Sequence, residues 1–322
     1  MFIKVPFKRL GLWLLALLWL LPGISGAAKP VDVAVVLSKS SQPYEEFYRH
    51  LEAGLADKPR PFRLHRLDGE ISGALTALAG RGIRPRLIVA AGSQAADRVL
   101  ALKTPLPTLF SLIPSIRYRH RIASADWCRD AGNCSAVYLD QPVQRQLTVI
   151  RRVLPEVRRL GILLGPASIA LRDELQQAAA RQDLQLTIIE AGARDNLVAL
   201  TNRLSRDSDA LLALPDPAIY NRKTAKGILL GTYRYQIPLL AYSHSFVRAG
   251  ALFSLYSTPA QIGRQSAGML AASVARDAII LPAPRYPESF RFEINPAVRR
   301  ALRARIRFDD KAIEELLRQS HE

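Results

Sequence analysis

The most constraining feature of this sequence is an alternation of short apolar runs with amphipathic stretches, which passes along the chain twice. The runs are rich in Val, Ile and Leu, and most of them are apolar throughout. Strands of this kind are buried on both faces, which is typical of parallel sheets covered by helices. The first series of runs comprises Val31–Leu37, Phe62–Leu67, Leu87–Ala91 and Leu106–Leu112. The second series comprises Leu160–Leu164, Leu184–Ile189, Ala210–Leu214, Pro238–Tyr242 and Ala251–Tyr256.

The stretches between these runs carry apolar residues at helical spacing. Ser93 is predicted to cap a helix that ends at Leu102, and Gly82 is predicted to end the helix before it. The apolar stripes are Tyr44, Phe47, Tyr48, Leu51 and Leu55, then Val143, Leu147, Ile150 and Leu154, and, less strongly, Leu197, Thr201 and Leu204.

Two successive series of alternating strands and helices predict an α/β protein with two doubly wound, parallel-sheet lobes. A helix over 259–275, a Pro-rich segment over 281–287, a strand over 290–294 and two basic helices follow the second series. These late segments need a surface to pack on, so we expect the chain to cross between the lobes more than once. The predicted domains are a signal peptide (1–27), a first lobe (28–136 plus 259–281) and a second lobe (137–258 plus 282–322).

The first 27 residues have the pattern of a secretory signal peptide. Three basic residues precede an uncharged apolar run, Leu10–Leu21, and small residues lead to a cleavage site near Ala27. The apolar run is shorter than the ~20 residues of a membrane-spanning helix, although an uncleaved anchor is the alternative. We therefore expect the mature chain to be soluble and periplasmic.

The chain carries 45 Lys and Arg against 28 Asp and Glu, a formal net charge of +17. Cleavage after Ala27 would remove Lys4, Lys8 and Arg9 and no acidic residue, which leaves +14. An exported protein does not routinely meet nucleic acid, so we expect an anionic membrane or envelope component as the basic patches' partner, or simply a solvated surface. One patch comprises Arg117, Arg119 and Arg121, and the other comprises Arg285, Arg291, Arg299, Arg300, Arg303, Arg305 and Arg307.

The two cysteines, Cys128 and Cys134, bracket a segment rich in turn-forming residues. An oxidising compartment favours a disulfide between them, whereas their spacing differs from that of redox and zinc motifs. The five histidines form no pair with metal-ligand spacing, so no metal is expected.

Catalytic signatures are missing from the sequence. It contains no phosphate-binding G-x-x-x-x-G-K-[ST] loop, no G-x-S-x-G nucleophile motif and no H-E-x-x-H. An exported two-lobed chain of this composition is therefore predicted to bind a ligand without a cofactor and without being an enzyme.

Polar residues follow directly after several predicted strands, where ligands bind in open α/β sheets. A helix that starts there offers free N–H groups to a carboxylate. Asp140 or Asp216 would suit a ligand ammonium group, and tyrosine rings would stack on the ligand. The alternative for each residue is a structural role as a helix cap, a turn residue or an aromatic at the edge of the core. The predicted ligand-binding residues are Ser38, Ser40, Ser41, Tyr44, Gly92, Ser93, Gln94, Asp140, Asp216, Tyr220, Asn221, Ser243 and Tyr256.

Several segments, taken in order, resemble the substrate-binding proteins of bacterial ABC transporters with the type 1 periplasmic binding fold. The resemblance covers about 31–318 and is nearest to the branch that includes aromatic amino-acid binders. It implies three crossovers between the lobes, closure on the ligand, and a ligand carboxylate near Ser38–Ser41 and Gly92–Gln94. The segments are 33–38, 87–96, 154–163, 209–216, 263–268 and 292–295.

The sequence thus predicts the solute-binding component of an ABC transporter, which holds an amino acid or small carboxylate between two lobes and delivers it to a membrane permease. The alternative is a periplasmic sensor or scaffold that keeps the fold but contacts an envelope partner.

Overall fold

A computed structural model of the chain describes residues 29–130, 132–275 and 278–320. The predicted signal peptide, 1–27, lies outside the described residues. The first series of elements is β1 (Val31–Leu37), α1 (Gln42–Ala56), β2 (Phe62–Leu67), α2 (Ile71–Gly80), β3 (Leu87–Ala91), α3 (Ser93–Leu102), β4 (Thr108–Ile113), α4 (Ser115–Arg117) with a π-helical turn (Tyr118–Ile122), a 3-10 turn (Asp126–Cys128) and β5 (Cys134–Tyr138).

The second series begins with α5 and repeats the same order of strands and helices. It comprises α5 (Val143–Val153), β6 (Arg159–Leu164), a 3-10 turn (Ile169–Leu171), α6 (Arg172–Ala180), β7 (Gln185–Glu190), α7 (Leu197–Arg206), β8 (Ala210–Leu212), α8 (Ala225–Tyr235), β9 (Leu239–Ala241), α9 (His244–Ala249) and β10 (Phe253–Tyr256). The last elements are α10 (Pro259–Ser273), β11 (Val274–Ala275), β12 (Ala278–Ile279), β13 (Arg291–Ile294), α11 (Pro296–Leu302) and α12 (Asp310–Gln319).

The first lobe is built on a five-stranded parallel sheet in the order β2-β1-β3-β4-β5. Strands β3, β4 and β5 are buried along their whole length, as their apolar sequences require. One face of the sheet packs on α1 and α10, and the other face packs on α2, α3 and the turn after β4.

The second lobe is built on a six-stranded sheet in the order β7-β6-β8-β9-β10-β13. The first five of these strands are parallel and repeat the strand order of the first sheet, whereas β13 is antiparallel to β10. Because the order reverses between the first and third strands of each series, each lobe has a switch point: between β1 and β3, and between β6 and β8.

The chain passes between the lobes three times, after β5, after β10 and before β13. Helix α10 returns to the first lobe, where Ile262 and Leu270 join its core. It lies tightly on α1, since a Cβ added at Gly263 would come within 2.6 Å of the Phe47 carbonyl oxygen. The predicted fold class, two doubly wound lobes with three crossovers, is therefore confirmed. The residue boundaries of the lobes stay a prediction; β5 extends to Tyr138, and Arg285 bridges to Val137 at its edge.

Some predicted element ends differ from the structure. The run Leu106–Leu112 becomes a strand only at Thr108, because Pro105 and Pro107 lack the N–H that a ladder needs. The predicted helix 259–275 ends at Ser273, and the next two residues pair with β12 in a short hairpin.

The disulfide between Cys128 and Cys134 is confirmed, with Cα atoms 5.0 Å apart. It joins the 3-10 turn to the start of β5, at the edge of the first sheet. Over residues 29–130, 132–275 and 278–320, no helix is long and apolar enough to cross a membrane.

Both predicted basic patches are partly neutralised by carboxylates. In the first patch, Arg117 contacts Asp97 at 2.6 Å and Arg121 reaches the same carboxylate at 3.6 Å. In the second patch, Arg299 and Arg303 share Asp310. Only part of the formal charge of each patch is therefore available to a partner.

Candidate functional site

The switch point of the first lobe brings three predicted residues into contact. Ser38 and Tyr44 follow β1, Gly92 follows β3, and the two strands are neighbours in register. A Cβ added at Gly92 would lie 2.5 Å from Ser38 Oγ and 2.6 Å from the Tyr44 ring, and the φ of Gly92 is +89°. Only glycine combines that backbone angle with so close an approach, so Gly92 sets the geometry of this corner.

Helix α3 starts at this corner, but the predicted capping residue is wrong. Ser93 is the first helical residue, and Gly92 occupies the N-cap position. The cap is supplied by the neighbouring loop, since Ser38 Oγ accepts a hydrogen bond from the Ala95 N–H at 2.9 Å. Gly92 adopts the non-helical angle that a cap needs, which leaves the Ser93 side chain outside this bond. Ser93 is half-buried and Gln94 is exposed at the start of the helix.

Ser40 and Ser41 lie in the exposed loop before α1. Ser40 Oγ accepts a hydrogen bond from Arg66 at 3.0 Å, and Arg66 also pairs with Glu45. Ser41 is the N-cap residue of α1, yet its hydroxyl makes no capping bond. Its side chain is therefore available to another partner.

The switch point of the second lobe is filled by the lobe's own carboxylate. Asp216 is 1% exposed, and it lies across the loop that follows β6. One oxygen accepts from Ala167 N–H at 2.9 Å, from Ser168 N–H at 2.9 Å and from Ser168 Oγ at 2.8 Å. The other oxygen accepts from Ala218 N–H at 3.0 Å. Both oxygens are thus used within the lobe, as expected of a buried carboxylate.

The two residues predicted nearby also bond within the second lobe. Tyr220 is buried against the Tyr242 and Phe246 rings, with centroids 6.3 and 6.0 Å away, and burial raises its pKa. Asn221 donates to the Pro217 carbonyl at 3.0 Å, and its own amide oxygen accepts from the next turn of backbone. These contacts belong to the segment that leads into α8, so Tyr220 and Asn221 do not form a free polar surface.

Three other predicted residues line one cavity of about 180 Å³ between the crossovers. Asp140 follows β5, Ser243 follows β9, and Tyr256 ends β10, so all three lie at carboxyl ends of strands. The Tyr256 hydroxyl donates to Glu293 at 3.0 Å, and burial together with that carboxylate raises its pKa to about 12. The remaining lining residues are Leu139, Gln141, Gln146, Pro215, Tyr242, Leu255 and Ser257.

Asp140 connects this cavity to the first lobe. Its carboxylate accepts from both the N–H and the hydroxyl of Ser115, each at 2.6 Å. Burial raises the pKa of Asp140, while the bonds from Ser115 oppose that rise. The Tyr286 hydroxyl, from the third crossover, lies 3.3 Å from the Ser115 hydroxyl. Asp140 thus joins a polar network that spans two of the crossovers.

One ion pair links the lobes at this end of the sheets. Arg119, just after β4, contacts the Glu174 carboxylate of α6 at 3.1 Å. The sequence placed Arg119 in a basic patch, and Glu174, Ser115 and Tyr242 were not among the predicted site residues. Ser115 and Arg119 follow shortly after β4, which was the signal for both, whereas Glu174 lies within α6 and Tyr242 was the last residue of a predicted strand.

The sequence matches the family described as "ABC transporter substrate binding protein" over residues 70–276. No curated protein sequence matched the chain. A solved ABC domain from Streptococcus pneumonia in complex with L-Trp has a similar structure, with a TM-score of 0.59 and 18% sequence identity. That similarity covers 89% of this chain and 99% of the solved one.

Two other solved structures are similar. A ligand-free, open substrate-binding protein with adhesive properties from Clostridium difficile has a TM-score of 0.63 at 12% identity, over 84% of this chain and 94% of that one. A periplasmic ribose ABC transporter protein from Conexibacter woesei has a TM-score of 0.53 at 11% identity, over 86% and 96%. At these identities the similarity shows the fold, that of the type 1 periplasmic binding proteins.

Proposed function

We propose that this chain, which belongs to the ABC transporter substrate-binding protein family, binds an amino acid or another small carboxylate between its lobes. The observation that carries the proposal is the corner formed by Ser38, Tyr44 and Gly92 at the first switch point. A helix starts there, and helix N-termini suit a carboxylate. Delivery of the ligand to a membrane permease, in the periplasm after cleavage near Ala27, completes the proposal.

The ligand carboxylate is assigned to the first lobe. Ser41 lies in the loop that contains Ser38, Ser93 and Gln94 open α3 directly after Gly92, and none of the three side chains is needed for the caps described above. Asp216 and Asn221 are assigned to their own loops, because their polar atoms are bonded there.

The rest of the ligand is assigned to the second lobe side of the gap. The cavity lined by Asp140, Ser243 and Tyr256 offers a carboxylate, a hydroxyl and an aromatic ring within one enclosure. An ammonium group would pair with Asp140, because each of its oxygens accepts one bond from Ser115 and has a second lone pair, whereas Asp216 already accepts four bonds. An apolar side chain would contact the ring. Closure of the lobes would bring this enclosure to the ligand held on the first lobe.

The proposal is tested by calorimetry of the mature chain with the common amino acids and with small mono- and dicarboxylates. Saturable binding of at least one of them is expected, and silence over the whole series would contradict the proposal. Subcellular fractionation and N-terminal sequencing of the native protein test the compartment and the cleavage site.

A charge variant tests where the carboxylate lies. Ser93→Asp places a negative charge in the first turn of α3, which should hold or raise the stability of the helix while repelling a carboxylate. We expect the affinity for the ligand to fall by roughly tenfold or more, whereas the neutral, similarly sized Ser93→Asn should bind nearly as well as the wild type. Equal binding by both variants would show that the ligand carboxylate does not bind at this corner.

A sensor or scaffold role is the second candidate, and one observation favours it. The second switch point is occupied by Asp216, so one lobe offers fewer free polar groups than two open corners would. A chain that fails the calorimetric series but captures a defined envelope partner would support this role.

A further inference from the structure

A groove runs along the amino-terminal edge of the second sheet, opposite the edge that carries the candidate site. Its first half has a volume of about 560 Å³ and lies beside the start of β6. Its second half, of about 550 Å³, lies between α8 and α11. Gln236 and Ile237 line both halves, so the two are directly adjacent, and together they are called here the base groove.

The two halves of the base groove differ in chemistry. The first half is lined by three arginines, two carboxylates and Tyr235, the last residue of α8. The charged residues are Arg159, Arg206, Arg305, Glu156 and Asp209, which leaves an excess of positive charge. The second half is largely apolar. Its apolar lining residues are Leu229, Ile237, Leu239, Ala297, Val298, Ala301 and Leu302.

Two of the three arginines of the first half are held by neutral groups. Arg206 Nε donates to the Tyr235 hydroxyl at 3.2 Å, and its guanidinium lies 5.8 Å from that ring. Arg305 donates to the Gln236 side-chain carbonyl at 2.5 Å. Within the described part of the chain, neither makes an ion pair with a carboxylate, whereas the nearby Arg159 is paired with Asp209 at 2.7 Å. Two oriented positive charges therefore remain available to an anion.

The helix beside the groove exposes a mixed apolar and basic face. Leu230 is 57% exposed and Tyr233 is 76% exposed, and both project from α8. Lys226 and Arg234 are exposed one turn from Leu230 on the same side. A helix face that combines leucine, an aromatic ring and basic residues is typical of contact with an anionic membrane surface.

We propose that the base groove binds an anionic phospholipid, with the phosphate between Arg206 and Arg305 and an acyl chain in the apolar half. The exposed face of α8 then rests on the surrounding membrane. This occupant accounts for the charged half, the apolar half and the two exposed apolar side chains together. A second copy of the chain would bring like charges together, and an acidic peptide in the groove would leave Leu230 and Tyr233 in water.

Gln236 connects the end of α8 to the charged half of the groove. It ends α8 with a φ of +55°, a conformation that favours glycine. Its side chain is the group that holds Arg305. Gln236 therefore couples the end of α8 to the position of Arg305 in the first half of the groove.

The test is sedimentation of the purified full chain with vesicles of phosphatidylcholine alone or mixed with phosphatidylglycerol. We expect binding only to the anionic vesicles. Arg206→Ala combined with Arg305→Ala should weaken it roughly tenfold, because two phosphate contacts are lost. The control is Arg81→Ala with Arg84→Ala, which removes the same charge from exposed residues beside the first sheet. An equal loss in both pairs would overturn the proposal, because binding would then follow net charge alone.

Gln236→Gly separates the lipid site from folding. Glycine suits the φ of +55°, so the unfolding midpoint should not fall, yet vesicle binding should weaken because Arg305 loses its partner. Unchanged vesicle binding by Gln236→Gly would overturn the assigned role of this residue.

Two further measurements separate the sources of an anion. Binding of inorganic phosphate that depends on Arg206 and Arg305, without binding to vesicles, would show a free-anion site and overturn the lipid proposal. Arginine-dependent binding of poly-glutamate without vesicle binding would overturn it in favour of an acidic protein partner. Loss of vesicle binding in Leu230→Ser with Tyr233→Ser would support the assigned orientation of α8.

Discussion

The two lobes have the same strand order but differ in whether one of their own side chains fills the switch point. In the first lobe, the Ser38 hydroxyl accepts a single hydrogen bond, from the Ala95 N–H of α3, and the corner stays lined by exposed and half-buried side chains. In the second lobe, the Asp216 carboxylate accepts four hydrogen bonds and is almost completely buried. The anion position that the fold creates in both lobes is therefore filled from within in one of them. Under the proposed function, a carboxylate ligand would therefore bind to the first lobe.

The largest effect is expected when the internal carboxylate is removed. Asp216→Ala removes a buried carboxylate that accepts four hydrogen bonds and leaves the Ala167 and Ala218 N–H groups without this acceptor, which should cost about 3 kcal/mol or more. The counterpart Ser38→Ala loses only one capping bond, at a cost of about 1 kcal/mol. Urea unfolding of both variants measures the difference, and similar losses would remove the contrast between the lobes.

The vacated position in Asp216→Ala also offers a rescue experiment. The N–H and O–H groups that held the Asp216 carboxylate should bind an added small anion. Formate should therefore raise the unfolding midpoint of this variant more than that of the wild type. Chloride at the same ionic strength is the control for general salt effects. No specific gain with formate would mean that the loop around 165–168 collapses without the carboxylate.

A smaller effect is expected at the glycine of the first switch point. Gly92→Ala combines an unfavourable φ of +89° with a Cβ 2.5 Å from Ser38 Oγ, and should cost about 2 kcal/mol. Gly82→Ala is the matched control, because its φ is +76° and no atom lies within 4 Å of the added Cβ. That control should lose only the stability that an unfavourable φ costs, about 1 kcal/mol. Equal losses of stability for the two variants in urea unfolding would show that the Cβ added at Gly92 causes no steric clash.

The sequence predicted the sheets well because continuous apolar runs are a direct consequence of burial on both faces. The runs Val31–Leu37 and Leu87–Ala91 became β1 and β3 at their predicted ends. Because ligands bind beyond the carboxyl ends of strands, Ser38 and Gly92 were both predicted to line the ligand site. The structure places the two residues in contact.

The sequence was less informative where a polar side chain could bond either within its own loop or to a loop distant in the sequence. Leu-Pro-Asp-Pro shows that Asp216 lies in a turn, but not that its carboxylate reaches back to Ser168, 48 residues earlier. Likewise, Gly92-Ser93 has the pattern of a serine cap, and only the hydrogen bond from the Ala95 N–H shows that the cap comes from Ser38. Long-range hydrogen bonds of this kind depend on packing that a local pattern does not contain.

A pH-dependent effect is expected from a second carboxylate, the partly buried Asp140. Burial raises its pKa above the ordinary 3.8. The folded state therefore holds a proton on Asp140 more tightly than the unfolded state does, and its contribution to stability falls as the pH rises from about 3.8 through the folded pKa. Asp140→Asn removes this titration, so the stability of the variant relative to the wild type should increase over that range. A relative stability that does not change with pH would contradict the raised pKa.

The smallest effect is expected at the ion pair that joins the lobes. Arg119 and Glu174 are both substantially exposed, so a double-mutant cycle should give a coupling of about 0.5 kcal/mol. The control pair is Arg152 and Glu315, which has similar exposure but lies within the second lobe. Both pairs should have similar small effects on unfolding, whereas only the loss of Arg119 or Glu174 should increase the radius of gyration of the ligand-free chain in small-angle scattering. An unchanged radius would show that the crossovers alone set the separation of the two lobes.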